Sequence, residues 1–160
     1  MLISFRQLKQ KYDMSISGVI HIGAHFGQEA KDYVDNGITE MVFFEPLSES
    51  LKILEDNLSY IAMDANVMIY PVALGNETKD VEMYVSNRDR MCSSILKPKV
   101  VLEQYPDITF DERETVEMMR LDDTDLEFDK FNFLHESFDG QPNPHLTPPD
   151  LWGNMCVHPE

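Results

Sequence analysis

Several features that mark particular protein classes are missing from this chain. Its two cysteines, Cys92 and Cys156, lie far apart and form no CxxC pattern, so free thiols in a reducing compartment are the simplest interpretation. No apolar run approaches the ~20 residues that span a bilayer, and residues 1–9 lack the layout of a signal peptide. We therefore expect a cytoplasmic protein that does not enter a membrane.

Basic residues are also scarce. The 160 residues include 13 Lys and Arg against 29 Asp and Glu, which gives a formal net charge of −16. Such a surface repels phosphate backbones and anionic lipids, so nucleic acids and membrane surfaces are poor candidate partners. Hydrophobic residues make up 42% of the chain, which is too many for a disordered protein and enough for one domain with its own core.

The first half of the chain alternates between strand and helix patterns. Short apolar runs are followed by stretches whose apolar residues recur at helical spacing. This alternation predicts an α/β fold, a parallel sheet with right-handed crossovers. The predicted elements are helices at 2–12, 28–36 and 47–58, and strands at 18–22, 41–44 and 67–74, the last with a bulge or break at Pro71.

The pattern changes after residue 75. Residues 81–85 alternate with period two, which predicts a half-exposed strand in an antiparallel pair. Residues 86–110 are polar and irregular, 115–121 are a further candidate strand, and a fourth core strand is expected from Phe131. The predicted domain, 1–134, thus contains an antiparallel β insertion.

The last segment, 135–160, differs from the rest of the chain. It has no Lys or Arg, contains five of the nine prolines and shows no periodicity. Such a sequence buries too little apolar surface to offset its ordering entropy. We expect a disordered tail.

The candidate ligand-binding turn is the segment Gly23–Gly27, which follows the first predicted strand. Glycines there permit a tight turn and close backbone approach to a ligand, and open parallel sheets bind ligands at these strand ends. A plain tight turn is the alternative. Glu45 lies 22 residues after Gly23, at the end of the next strand, where an acid can accept both ribose hydroxyls of a nucleoside. The alternative interpretation of Glu45 is an exposed carboxylate that precedes a helix.

The absence of two phosphate-binding motifs decides which nucleoside cofactor we expect at the turn. Ala24 and His25 follow Gly23, so the middle glycine of a dinucleotide fingerprint is absent, and no Gly-Lys-Ser/Thr occurs. S-adenosylmethionine carries no phosphate and fits better. His21 and His25 have a spacing that binds zinc on a helix, but they flank a glycine turn and no third ligand is evident, so no metal is predicted.

Five segments together resemble the motifs of FkbM-family methyltransferases, in order and at similar spacing over residues 1–134. They are His21–Glu29 (HIGAHFGQE), Phe44–Pro46 (FEP), Val72–Asn76 (VALGN), Ser93-Ser94 and Arg120–Asp123 (RLDD). The resemblance implies a Rossmann-like class I methyltransferase fold. It also implies O-methylation of a hydroxyl group on a sugar or another small metabolite, with S-adenosylmethionine as methyl donor.

The resemblance also implies roles for individual residues. Gly23, Ala24 and Gly27 would contact the methionine part, with Glu45 on the ribose. Val72 and Ala73 would border the adenine, and Ser93 and Ser94 would lie in a loop near the cofactor or acceptor. The same motifs add His21, His25 and Pro46 to the cofactor site, and His25 is also a candidate base.

The chain departs from the family pattern at the fourth strand. The family continues into an Asp, then a Gly and a Glu, whereas here Glu136 and Asp139 fall at other offsets. We therefore expect an incomplete sheet, an exposed edge that favours self-association, an unassigned catalytic residue and weak or no turnover. The alternatives are a non-catalytic nucleoside-binding or interaction module and, third, an NAD-binding oxidoreductase fragment.

Overall fold

A computed structural model of the chain describes residues 4–97 and 106–136. Of these, residues 4–71 and 125–136 form one compact unit, and 72–97 with 106–124 form a second. The sequence predicted one domain with an insertion, and the second unit contains that insertion. Most of the predicted tail, 137–160, lies outside the described residues, as does Cys156.

The described elements follow one another as helices and strands up to residue 70 and mainly as strands thereafter. In chain order they are α1 (Phe5–Lys11), β1 (Gly18–Ile22), α2 (Ala30–Asp35), β2 (Glu40–Phe44), α3 (Ser48–Ile61), β3 (Asn66–Tyr70), β4 (Ala73–Leu74), β5 (Lys79–Val85), β6 (Glu112–Met119) and β7 (Phe133–Glu136), with 3₁₀ turns at Leu121–Asp123 and Phe128–Lys130. No described helix has the length and apolar character needed to cross a membrane.

The first unit contains a four-stranded sheet in the order β3-β2-β1-β7. Every neighbouring pair is parallel, so the predicted α/β fold with a parallel sheet is confirmed, and its architecture is consistent with a Rossmann-like fold. The chain moves outward from β1 to β2 and β3 and then returns to the other side of β1 with β7. Ligand crevices of open parallel sheets lie at the carboxyl ends of the strands where such a reversal occurs.

One apolar cluster of the first unit lies on one face of this sheet, and the opposite face also carries buried residues. Alternate strand residues point to the face of that cluster, where Val19, Met41 and Phe43 are fully buried. They pack with residues of α2 and α3, including Tyr33 and Leu54. Because Phe5 of α1 joins the same cluster, all three helices contribute to one apolar layer that fixes the strand ends.

Two strand boundaries differ from the predictions. The expected strand over 67–74 is two strands, because Pro71 has no N–H to donate and ends the β3 ladder. β4 pairs with β6 in the second unit instead. The fourth core strand begins at Phe133 rather than Phe131 and includes residues 135 and 136, which the sequence pattern places in the tail.

The second unit is built around an antiparallel pair. β5 pairs with β6 over seven residues, with Val81 opposite Val116, and β4 joins the other side of β6 in parallel. The predicted antiparallel strand at 81–85 is confirmed as part of β5.

Candidate functional site

The turn after β1 has an unusual backbone. Gly23, His25 and Gly27 all have positive φ, at 70°, 51° and 73°, a conformation that favours glycine and costs other residues energy. The N–H groups of Gly23 and Ala24 both donate to the carbonyl of Phe44, each at 3.0 Å. The predicted turn is therefore real, and it is attached to the end of β2.

The far side of the turn packs against α3. A Cβ on Gly27 would lie 2.6 Å from Leu54 Cδ1, so this position has no room for a side chain. Asn57 Nδ2 donates to the carbonyl of Phe26 at 2.7 Å. Leu54 and Asn57 of α3 thus both contact the turn and hold it in place.

Glu45 lies beside this turn, as its place after β2 predicted. Its Oε2 accepts the backbone N–H of His25 at 2.8 Å, and its Oε1 accepts that of Leu47 at 2.9 Å. The residue is 4% exposed, so the alternative of an exposed carboxylate is wrong. The carboxylate therefore joins the turn after β1 to the start of α3. Pro46, also predicted for the site, follows directly and is half-buried.

His21 is not at the ligand edge. Its side chain is fully buried, its ring stacks on that of His135 with centroids 4.2 Å apart, and its Nδ1 lies 3.2 Å from the Tyr33 hydroxyl. Alternation along β1 turns the His21 side chain into the helix-covered core, and its place among the cofactor-binding residues stays a prediction. His25 is half-exposed in the turn, its ring stacked on Phe26 with centroids 3.6 Å apart.

Tyr33 connects two histidines inside the core. Its hydroxyl lies between His21 Nδ1 and His135 Nδ1. A hydroxyl has one proton to donate, so it donates to one ring and accepts from the other. Burial lowers the pKa of both histidines and raises the pKa of Tyr33, while Glu29 opposes the shift at His135. At neutral pH the three groups form an uncharged network that joins β1, α2 and β7.

The sequence did not identify several residues that meet at the carboxyl ends of the strands. The aligned positions Tyr70, Phe44, Ile22 and Glu136 cross the sheet from β3 to β7. Glu136 is half-buried, and burial raises its pKa. The available signal was position alone, since each residue is the last of a strand. Within the part of the chain that the structure describes, no three His, Cys, Asp or Glu side chains cluster tightly enough to hold a metal ion.

Four predicted site residues belong to the second unit. Val72 and Ala73 are buried, and Ala73 pairs with Met118 in the parallel ladder. Ser93 Oγ accepts the N–H of Ser86 at 3.0 Å, and Ser94 forms a backbone bridge with Tyr84. Each has a structural role inside that unit, and their relation to the turn stays a prediction.

Comparison of the chain with models of protein families, with curated proteins and with solved structures found no match. The site itself consists of a turn with three positive φ angles, a buried carboxylate after the neighbouring strand and an aromatic strand end. This arrangement offers hydrogen-bond acceptors and a flat apolar surface.

Proposed function

We propose that the first unit binds S-adenosylmethionine at the turn Gly23–Gly27 and that the chain belongs to the S-adenosylmethionine-dependent methyltransferases. The acceptor we propose is a hydroxyl group on a small molecule such as a sugar. One observation supports the proposal above the others: the 2.8 Å hydrogen bond from His25 N–H to Glu45 Oε2. It brings together the two elements that a nucleoside cofactor requires, the turn after β1 and the acid after β2.

Glu45 has the chemistry needed to hold a ribose. A ribose presents two neighbouring hydroxyl donors, and a carboxylate is the side chain that accepts both. Hydrogen bonds to an ionised group contribute about 1.5–3 kcal/mol each. Because Glu45 is already fixed by two backbone N–H donors, little side-chain entropy is lost when a ligand binds.

The backbone of the turn favours a cofactor without phosphates. A dinucleotide needs free N–H groups and a close backbone approach for its pyrophosphate, but the Gly23 and Ala24 amides both donate to Phe44. The following helix, α2, has six residues and offers little dipole to an anion. The net charge of −16 also opposes phosphate binding. These features favour S-adenosylmethionine over NAD.

A non-catalytic nucleoside-binding module is the second candidate function, and the end of β7 favours it. Methyl transfer requires an acceptor oxygen held ~3–3.5 Å from the methyl group, with a base close by. Where the family resemblance expects an Asp, β7 carries His135, whose ring is part of the core network, and the half-buried Glu136.

Calorimetric titration with S-adenosylhomocysteine tests the binding proposal. We expect Glu45→Gln to weaken binding about 10- to 100-fold. The glutamine side chain has no charge, and its NH₂ group would face a backbone N–H that the carboxylate oxygen now accepts. Glu55→Gln is the matched control, since Glu55 is exposed on α3. Equal binding by wild type and Glu45→Gln, or tighter binding of NAD than of S-adenosylhomocysteine, would contradict the assignment.

Methyl transfer from labelled cofactor to a panel of sugars and hydroxylated metabolites separates the two candidate functions. Transfer by the wild type, lost in Glu45→Gln and kept in Glu55→Gln, identifies an enzyme. Cofactor binding without transfer to any acceptor of the panel identifies a binding module.

A further inference from the structure

The strand β7 is attached to the first unit in two different ways. Of the described strands, β1 alone pairs with it, so it lies at an edge of the four-stranded sheet. Near its start, the buried ring of Phe133 packs edge-on against that of Phe5, with centroids 5.3 Å apart. Near its end, His135 stacks on His21 and forms a hydrogen bond with the Tyr33 hydroxyl. The first attachment is apolar and independent of pH, whereas the second consists of titratable groups.

We propose that β7 is an acid-released edge strand: as the pH falls below neutrality, residues 134–136 separate from β1 and His135 takes up one proton, while β1, β2 and β3 stay paired. This inference is independent of the proposed function. β7 has four residues, and local opening of so short an edge element requires less free energy than unfolding of the whole unit. β2, by contrast, is paired on both sides.

A protonated His135 fits poorly in the paired strand. Its ring lies face to face with that of His21, with centroids 4.2 Å apart and planes inclined by 9°. A cation there loses its water, and the stacked ring supplies no opposing charge. Burial accordingly lowers the pKa of His135. In the released segment the ring regains water and its ordinary pKa of ~6.5, so acid favours the released state.

Two acidic side chains near the start of α2 also act on this network. Glu29 raises the pKa of His135 and partly offsets the effect of burial, which reduces the response to acid. Burial, Glu29 and Asp32 together raise the pKa of Tyr33, so the Tyr33 hydroxyl keeps its proton in acid. The response to acid therefore comes from the histidines.

The positions of His21 and Glu136 determine how many protons accompany release. His21 belongs to β1, and its ring contacts those of Tyr33 and Phe43, which do not leave with β7. Release therefore exposes one histidine and takes up one proton, whereas complete unfolding exposes both and takes up two. Burial raises the pKa of the Glu136 carboxyl, so Glu136 binds its proton more readily in the paired strand and opposes release at the acidic end of the range.

Amide hydrogen exchange of the ¹⁵N-labelled full chain between pH 7.5 and pH 5.5 tests the inference. Asn132 N–H donates to the carbonyl of Gly18, so alternation along the ladder directs the amides of Leu134 and Glu136 to β1 as well. After correction for intrinsic exchange rates, we expect the protection factors of these two amides to approach a fall of about tenfold per pH unit below pH ~6.5, the effect of one proton. The amides of Val42–Phe44 report complete unfolding and should remain better protected throughout.

Two variants separate the role of His135 from general destabilisation. His135→Phe keeps a ring on β7 but cannot be protonated, so the protection of Leu134 and Glu136 should no longer depend on pH. His25→Gln, whose ring lies outside the network, should keep the wild-type dependence. Glu29→Gln retains both histidines and should extend the dependence to lower pH, because it removes the charge that favours protonated His135 in the paired strand. Glu55→Gln, at an exposed site on α3, is its matched control.

Several results would overturn the proposal. Wild-type protection of Leu134 and Glu136 that is independent of pH, or that falls together with that of Val42–Phe44, would show that β7 opens only with the whole unit. Unprotected amides at pH 7.5 would show that there is no paired strand to release. The wild-type pH dependence in His135→Phe would show that another group takes up the proton. Circular dichroism at each pH confirms that exchange is compared between folded proteins.

Discussion

At the scale of single residues, the sequence identified Glu45 and Gly27 as part of the structure around the turn, because both lie in segments that follow predicted strands. Glu45 closes the turn through His25 and Leu47, and Gly27 allows α3 to approach. The histidines could not be assigned in the same way. His21 and His25 both flank Gly23, and only the direction in which each side chain points separates a core residue from a turn residue. That direction depends on the packing of helices against the sheet.

Gly27→Ala tests whether close packing, and not only backbone conformation, fixes the turn. The new methyl group would meet Leu54 at 2.6 Å in a residue with φ of 73°. We expect the free energy of unfolding to fall by about 2–4 kcal/mol, a left-handed penalty of ~1–2 plus an overpacking cost of similar size. Urea denaturation measures it.

Gly37→Ala is the matched control for that substitution. Gly37 has a similar φ of 80° but no atom within 4 Å of its would-be Cβ, so only the backbone penalty of ~1–2 kcal/mol applies. Equal losses in the two variants would show that the contact with Leu54 contributes nothing to the turn.

At the scale of elements, the sequence predicted the three helices and the parallel strands, since apolar periodicity reports which face each element buries. It misjudged where strands end. The pattern around Pro71 indicates an irregularity within one strand, yet Pro71 separates β3 from β4, which pair in different sheets. The pattern also ends β7 before His135, because a histidine and a glutamate give no strand signal. The stacked pair His21–His135 and the Tyr33 hydroxyl supply the partners that the sequence pattern cannot show.

The buried histidine network should make the free energy of unfolding depend on pH. Burial lowers the pKa of His21 and His135, so below pH ~6.5 the unfolded chain binds protons that the folded chain does not. Above pH ~6.5 these histidines do not reduce the free energy of unfolding, and below it they reduce it increasingly as the pH falls. We expect a loss of up to ~1.4 kcal/mol per pH unit for each histidine that stays neutral.

Urea denaturation between pH 8 and pH 5.5 measures this dependence. The double variant His21→Phe, His135→Phe should show a flatter pH profile than the wild type, and His25→Gln, whose ring lies outside the network, serves as control. A wild-type profile that is flat, or that rises as the pH falls, would mean that the two rings are not buried together.

At the scale of the whole molecule, the alternation of strands and helices was sufficient to predict the α/β class and the parallel sheet. It was not sufficient to predict the division into two units, because a polar insertion carries no signal for where its strands will pair. The net charge of −16 is a property of the whole chain, and weak affinity for anionic partners stays a prediction. The candidate site within the first unit brings the turn, Glu45 and Tyr70 to one end of the sheet. The predicted residues Val72, Ala73, Ser93 and Ser94 belong to the second unit.

We propose that S-adenosylmethionine binds at the carboxyl ends of β1 and β2. Amide chemical-shift mapping of the ¹⁵N-labelled chain during titration with S-adenosylhomocysteine tests it most directly. We predict that the largest shifts fall on the amides of Gly23–Gly27, Glu45 and Leu47, because the His25 and Leu47 amides donate to the Glu45 carboxylate and the turn lies beside it. We predict small shifts at the exposed Lys79 and Asp80 of β5. Saturable shifts confined to residues away from the turn, or no shifts at millimolar ligand, would contradict it.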